Sequence, residues 1–114
     1  PVRDAIKTGR LKIAPRLLLA GYIDSGANAL GSMRAETPDE ARALVQKYKQ
    51  NDFEQIKIYQ SLKPELVKIV ADEAHRLGMT VTGHVPSKMN VYAAVENGFD
   101  QLNHVNFAAR AMLP

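Results

Sequence analysis

Three short apolar segments in the second half of the chain constrain its fold more than any other feature. They span residues 55–59, 80–86 and 101–106. Each holds one polar residue with metal-binding chemistry, namely Lys57, His84 and His104. These residues are roughly 27 and 20 positions apart, which is the interval that a helix and two short loops need between parallel strands. The spacing predicts successive strand-helix units of an α/β fold.

The alternation of side chains along a strand predicts where Lys57 points. Ile56 and Ile58 fall on one face of their strand, and Lys57 falls on the other. With helices on the isoleucine face, Lys57 points into the interior of a barrel. His84 and His104 come at the carboxyl ends of their strands, where parallel α/β folds gather their chemistry. The three side chains are therefore expected to meet at one end of the sheet.

The runs IKIY, AHRLGMTVTGHVP and GFDQLNHVN resemble the amidohydrolase superfamily, in particular its imidazolonepropionase-like and prolidase-like members. These are metal-dependent hydrolases built on a (β/α)8 barrel. The resemblance implies an α/β fold that is a partial (β/α)8 TIM barrel of about four parallel strands, the family's strands three to six. It also implies that Lys57 is carboxylated and bridges two divalent metal ions, with zinc expected. His84 and His104 would bind the second ion.

Two parts of the family's site have no counterpart in the 114 residues. They are the His-x-His pair of the first strand and the Asp of the eighth strand. A (β/α)8 barrel also needs roughly 250 residues. We therefore expect residues 1–114 to be one partial barrel domain that holds at most one metal ion, through His84, His104 and an uncarboxylated Lys57. The chain alone is expected to be inactive.

Each candidate residue also has a simpler interpretation. Taken alone, Lys57 is more often a strand-end residue whose amine reaches water. Tyr59 faces the same side as Lys57, and it either contacts a substrate carboxylate or packs in the core. Asp24 is interpreted as a turn residue in a long loop. His75 is interpreted as a surface or packing residue on a helix.

The composition excludes several classes of partner. The net charge is +3, but the 15 basic and 12 acidic residues are interspersed, so no nucleic-acid partner is expected. No apolar run approaches the ~20 residues that cross a bilayer, so no membrane partner is expected. The absence of cysteine excludes disulfides and thiolate zinc sites, and it fits a cytoplasmic or a periplasmic protein.

Capping and turn signals predict the remaining elements. Thr37, Pro38 and Glu40 form a capping-box pattern that starts a helix. A second helix begins near Pro64 and ends at Gly78. Other helices are predicted at 1–9, 91–97 and from 107 to 113, with a long loop at 21–36. Four strands are predicted at 16–20, with 17–19 as the apolar centre, and at 55–59, 79–84 and 99–104.

The sequence favours one function and leaves a second open. The resemblance implies hydrolysis of an amide, cyclic amide or peptide-like C–N bond in a small molecule by a metal-activated water. The alternative is a non-enzymatic α/β module for ligand binding or oligomerisation. Four strands leave two bare sheet edges and an apolar inner face. The chain is therefore expected to associate with itself or with the rest of the barrel.

Overall fold

A computed structural model describes residues 2–29 and 31–112, in which strands and helices alternate. Pro1, Leu30 and Leu113, which the predicted end helices and loop include, lie outside these residues. The helices are α1 (Val2–Lys7), α2 (Pro38–Gln50), α3 (Pro64–Arg76), α4 (Val91–Glu96) and α5 (Val105–Met112). The strands are β1 (Ala20–Ile23), β2 (Gln55–Ile58) and β3 (Thr80–Gly83). None of the described helices has the length and apolarity to cross a membrane.

The strands form one parallel sheet in the order β1-β2-β3. The α/β class and the parallel sheet are therefore confirmed. Ile56 and Ile58 are fully buried on one face together with Ile23 and Val81. Helices α2 and α3 supply the apolar side chains of the same core, including Val45, Leu66 and Val70. Lys57 alternates with the two isoleucines, so it lies on the opposite face, which we call the inner face.

The first strand does not lie where the sequence predicts it. The predicted apolar centre at 17–19 precedes β1, and Leu18 is 59% exposed. Gly21 suggested the end of a strand, but it lies inside β1. Glycine is needed there because the Tyr48 ring occupies the space that a Cβ would take. The Tyr48 hydroxyl also donates a hydrogen bond of 2.7 Å to the carbonyl oxygen of Tyr22. A packing requirement from α2 therefore sets the position of the strand.

The predicted fourth strand at 99–104 is an extended segment and not a regular strand. The amides of Asp100 and Gln101 both donate to the Val81 carbonyl, at 2.9 and 3.2 Å, and the Asn103 amide donates to the Gly83 carbonyl at 2.9 Å. In return, the Val81 amide donates to the Asp100 carboxylate at 2.7 Å. The Asp100 carboxylate thus accepts the hydrogen bond that a backbone carbonyl would accept in a regular parallel ladder. The segment follows β3 without forming a regular ladder with it.

Both edges of the sheet are partly covered by the chain itself. Beside β1, the Asp24 amide donates to the Met33 carbonyl at 3.2 Å, and the Ala35 amide donates to the Asp24 carbonyl at 2.9 Å. Beside β3 lies segment 100–103. The inner face is also polar, since Gln55 donates to the Thr80 hydroxyl at 3.0 Å there. The prediction of an apolar inner face was therefore wrong, because polar side chains occupy it. The prediction of two bare sheet edges stays a prediction, since segment 100–103 is itself the predicted fourth strand and the described part of the loop pairs with the first strand only at Asp24.

The capping box predicted for α2 is confirmed. The Glu40 amide donates to the Thr37 hydroxyl at 3.3 Å, and the Thr37 amide donates to the Glu40 carboxylate at 3.2 Å. These two bonds satisfy backbone donors that the first turn of a helix leaves without partners. Pro38 occupies the first turn, where its missing amide costs nothing. The start of α2 is therefore specified by local sequence.

A buried carboxylate joins α2 to α3. Glu73 is 8% exposed, and it accepts hydrogen bonds from the Arg76 guanidinium at 2.6 and 2.8 Å and from the Gln46 side chain at 2.7 Å. The Arg76 bond, followed by the Gln46 bond, lowers the pKa of Glu73 from 4.5 to about 2. The ionised form of Glu73 therefore stabilises the packing of the two helices.

Substituting Glu73→Gln is expected to lower the stability of the chain at pH 7 by about 1–3 kcal/mol. The unfolded state binds a proton at Glu73 near pH 4.5, and the folded state does so only near pH 2. The stabilisation is thus complete above about pH 4.5 and is lost as the pH falls towards 2. Urea unfolding at several pH values should show the difference between variant and wild type shrinking over that window. A difference that is independent of pH would contradict this assignment.

Candidate metal centre

The inner face presents its side chains in levels that follow the strand register. Lys57 is paired with Tyr22 of β1 on one side and with Thr82 of β3 on the other. One level nearer the carboxyl ends of the strands, Tyr59 follows β2 and His84 follows β3. The sheet therefore places Lys57 and His84 on one face and at one end, as the sequence predicts.

Aromatic and imidazole rings form a continuous row across this end of the sheet. The ring centroids of Tyr22 and Tyr59 are 5.9 Å apart, and those of Tyr59 and His84 are 5.1 Å apart. The His84 and His104 centroids are 5.0 Å apart, with their planes at 39°. The two predicted histidine ligands are thus brought into direct contact. Tyr59 lies between Tyr22 and His84 and remains half-buried.

Lys57 contributes positive charge to the same region. Its Nζ atom lies 5.4 Å from the centroid of the Tyr59 ring, within range of a cation–π interaction. Its charge also acts on His84. Burial is the largest cause that lowers the pKa of His84 below 6.5, and His104 and Lys57 lower it further, whereas Asp24 opposes them. His84 is therefore held as a neutral imidazole near pH 7, which is the form that binds metal ions.

Gly83 determines how His84 leaves the sheet. Its φ angle is 144°, and a Cβ at this position would collide with backbone atoms of Ile58. Only glycine permits this close approach of the two strands. The His84 amide then donates to the Ile58 carbonyl at 2.9 Å. The backbone of His84 is thus fixed against β2, directly beside the strand that carries Lys57.

His104 has an uncommon backbone conformation. Its φ angle of 60° is shared by only one other non-glycine residue of the described chain, Asp52. A residue with a side chain in this region is strained, and such strain is concentrated at functional sites. His104 directly precedes α5, its residue is exposed, and its ring contacts the ring of His84. The turn into α5 therefore sets the position of this imidazole.

Asp100 anchors the segment that leads to His104. Its carboxylate accepts a hydrogen bond from the Val81 amide at 2.7 Å and pairs with His75 Nε2 at 2.9 Å. Burial raises the pKa of Asp100, but the bonds with His75 and Val81 lower it more strongly, to below 3.8. The interpretation of His75 as a packing residue outside the site is confirmed. It ties α3 to the segment beside β3.

Two residues near the site were missed by the sequence-based predictions. Asp24 is 2% exposed, follows β1 at the level of Tyr59 and His84, and raises the pKa of His84. It also accepts a hydrogen bond from the Ser25 amide at 3.0 Å, so the predicted turn role is present as well. Thr82 is 3% exposed and stands two positions before His84. Side-chain alternation along β3 places Thr82 on the same face as His84, so the sequence contained the signal for Thr82. Asp24 was missed because the first strand was predicted too early in the chain.

The described residues bring two side chains with metal-binding chemistry, His84 and His104, into contact. Two neighbouring imidazoles are ligands suited to a borderline ion such as zinc. Among residues 2–29 and 31–112, no three His, Asp or Glu side chains lie close enough together to hold an ion. A third ligand would therefore have to come from Lys57 or from residues that this chain does not contain.

Comparisons with known proteins support the fold. No family profile and no curated protein matches the chain. Among solved structures, a Bifidobacterium longum protein assigned as a prolidase is 25% identical with a TM-score of 0.72, over 89% of this chain and 28% of that chain. A Xaa-Pro dipeptidase with bound methionine in its active site is 22% identical with a TM-score of 0.74, over 97% and 35%.

A third solved structure, an amidohydrolase, is 20% identical with a TM-score of 0.71, over 94% of this chain and 35% of that chain. The chain thus spans about a third of the length of these structures, all of which are hydrolases by description. At these identities the likeness concerns the fold. The chain folds as a segment of such hydrolases, and its resemblance to the amidohydrolase superfamily is confirmed at the level of the fold.

Proposed function

We propose that these residues form part of a metal-dependent hydrolase of amide, cyclic amide or peptide-like C–N bonds. The observation that supports this most strongly is the contact of the His84 and His104 rings, 5.0 Å apart, at the carboxyl end of a parallel sheet. Lys57 lies on the same face and is close enough to lower the pKa of His84. The similarity to prolidase, dipeptidase and amidohydrolase structures supports the same class of reaction.

In this proposal the chain provides three ligands and one substrate contact. His84 and His104 offer neutral imidazole nitrogens, and Lys57 acts after carboxylation of its amine. These residues would hold a divalent ion, with zinc expected, which would activate a water and polarise the scissile carbonyl. Tyr59 borders the histidine pair and orients the substrate through its ring or its hydroxyl. The chain itself is expected to hold one ion at most and to show no turnover, since the first-strand pair and the eighth-strand Asp are missing.

The inner face also suggests how the chain associates. Lys57 and Tyr59 are half-buried and His104 is exposed, although all three belong to the proposed site. A hydrolytic site works best when water is excluded from around the reacting groups. Further strands of the same protein, or a second copy of the chain, would cover this face. The substrate is then a small molecule that enters from the carboxyl end of the sheet.

The alternative is a metal-free α/β module that binds a small ligand on its polar inner face. The absence of a three-residue His, Asp or Glu cluster from the described part of the chain favours it. The two functions differ in one property, because only the hydrolase requires His84 and His104 to bind the same ion.

Zinc titration of the chain and its histidine variants tests the proposal. Wild type is expected to bind up to one zinc ion per chain, measured by calorimetry and by elemental analysis after dialysis. His84→Asn and His104→Asn should each weaken binding more than about 100-fold, because loss of a ligand exceeds the 10–100-fold cost of a supporting residue.

His75→Asn is the matched control, since His75 pairs with Asp100 and lies outside the proposed site. It should change zinc affinity less than about threefold, well below the effect of losing a ligand. Equal affinity in all three variants would contradict the proposed site. Zinc-free wild type that still binds small ligands would favour the alternative module.

A further inference from the structure

Thr82 combines burial with an unused hydrogen-bonding group. It is directly paired with Lys57 in the register of β2 and β3. Its side chain is 3% exposed, although it lies on the polar inner face. Within the described part of the chain, no residue forms a hydrogen bond with its hydroxyl oxygen. Buried hydroxyls are rarely left in this state, because removing the group from water is not compensated.

The polar groups nearest to Thr82 along and across the sheet make other interactions. The carbonyls of Val81 and Gly83 on either side accept hydrogen bonds from segment 100–103. The Lys57 amine, across the sheet, is a donor when charged and offers no acceptor to a hydroxyl. The Lys57 Nζ atom instead lies over the Tyr59 ring, 5.4 Å from its centroid. None of the described groups therefore accepts the Thr82 hydroxyl proton.

A carboxylated Lys57 would supply such an acceptor. The neutral Nζ atom attacks the carbon of CO2, a C–N bond forms, and one C=O electron pair moves onto oxygen. The nitrogen then releases one proton to solvent. The product is an anionic carbamate with two acceptor oxygens in place of a cation that only donates. The change in chemistry matches what the Thr82 hydroxyl lacks.

We propose that Thr82 is the positioning residue for a carboxylated Lys57, donating its hydroxyl proton to one carbamate oxygen. The inference rests on the proposed function, because it requires Lys57 to be modified. Thr82 is one level deeper in the sheet than His84. A hydrogen bond from that depth fixes the rotation of the carbamate about its C–N bond. One oxygen is thereby retained beside Thr82, and the other is left for the carboxyl end of the sheet.

Labelled bicarbonate provides a direct test. The chain, its Thr82→Val and Thr82→Ser variants and a Lys57→Met control are titrated with 13C-bicarbonate, and the carbamate carbon is followed by NMR. Lys57→Met identifies the signal that belongs to Lys57. Valine keeps the shape of threonine without the hydroxyl, so half-maximal signal should need about 10-fold more bicarbonate, as for loss of a hydrogen bond to a charged group. Serine keeps the hydroxyl and should stay within about threefold of wild type.

A stability measurement separates positioning from a structural role. In CO2-free buffer the hydroxyl is buried without a partner, so Thr82→Val should unfold at the same urea concentration as wild type or at a higher one. If the hydroxyl only supports the fold, this variant unfolds earlier and its bicarbonate dependence is unchanged. That result would overturn the inference.

Failure of this inference can be told apart from failure of the proposed function. Equal bicarbonate dependence in wild type and Thr82→Val overturns the role of Thr82 and leaves a carboxylated Lys57 intact. Absence of any signal that is lost in Lys57→Met overturns the carboxylation and the role of Thr82 together. Zinc binding that depends on His84 and His104 tests the metal site independently of both results.

Discussion

Substitution of Gly83 by alanine is expected to destabilise the chain by more than about 4 kcal/mol, which places it among the most damaging single changes. The φ angle of 144° is unfavourable for any residue with a side chain, and the new Cβ would collide with backbone atoms of Ile58. Backbone cannot move aside without separating β2 from β3. Far-UV circular dichroism and urea unfolding should show loss of the cooperative transition, and His84 would lose its fixed position.

Gly78→Ala is the matched control for this prediction. Gly78 also has a positive φ angle, 68°, but a Cβ there would meet nothing within 4 Å. The control variant therefore measures backbone strain alone, which costs about 1–2 kcal/mol. Equal destabilisation by the two substitutions would show that the close approach of Gly83 to Ile58 has no energetic importance.

Leu66→Ala is expected to destabilise the chain by about 2–5 kcal/mol. Leu66 is 1% exposed and belongs to the core that α3 forms against the sheet. Its removal loses buried apolar contact and leaves a cavity that rigid neighbours fill only in part. Urea unfolding, with the midpoint and the slope fitted separately, measures the loss.

Leu18→Ala tests the same chemical change outside the core. Leu18 is 59% exposed, so its substitution should change stability by less than about 0.5 kcal/mol. This control also tests the position of the first strand. If residues 17–19 were the buried strand, Leu18→Ala would cost as much as Leu66→Ala. A large effect at Leu18 would contradict the assignment of β1 to Ala20–Ile23.

Local sequence signals were sufficient to predict an element when the residues that stabilise it lie close together in the sequence. The start of α2 was predicted because Thr37 and Glu40 satisfy each other's amides within four residues. Strand β2 was predicted because Ile56 and Ile58 alternate with Lys57, and one face is buried. The spacing of the segments predicted that His84 and His104 lie close together, and their rings are 5.0 Å apart, although segment 99–104 is not the regular strand that the prediction assumed.

Local signals failed where the partner is distant along the chain. Gly21 was interpreted as the end of a strand, and the reason for its presence is the ring of Tyr48, which α2 brings onto the sheet. Segment 99–104 has the composition of a strand, but the Asp100 carboxylate takes the Val81 amide that a regular ladder would use. Asp24 was interpreted only as a turn residue because the strand before it had been placed too early.

The α/β class, the order of the helices and of β2 and β3, and the position of Lys57 and His84 on one face of the sheet all follow from the sequence. These properties depend on periodicity and on helix capping, and both signals lie within a few consecutive residues. Contacts between elements that are distant along the chain set the bounds of β1, the irregular path of segment 99–104, the burial of Asp24 and the isolated hydroxyl of Thr82. Each of these depends on an atom that another element brings within contact distance, and neither periodicity nor composition encodes that distance.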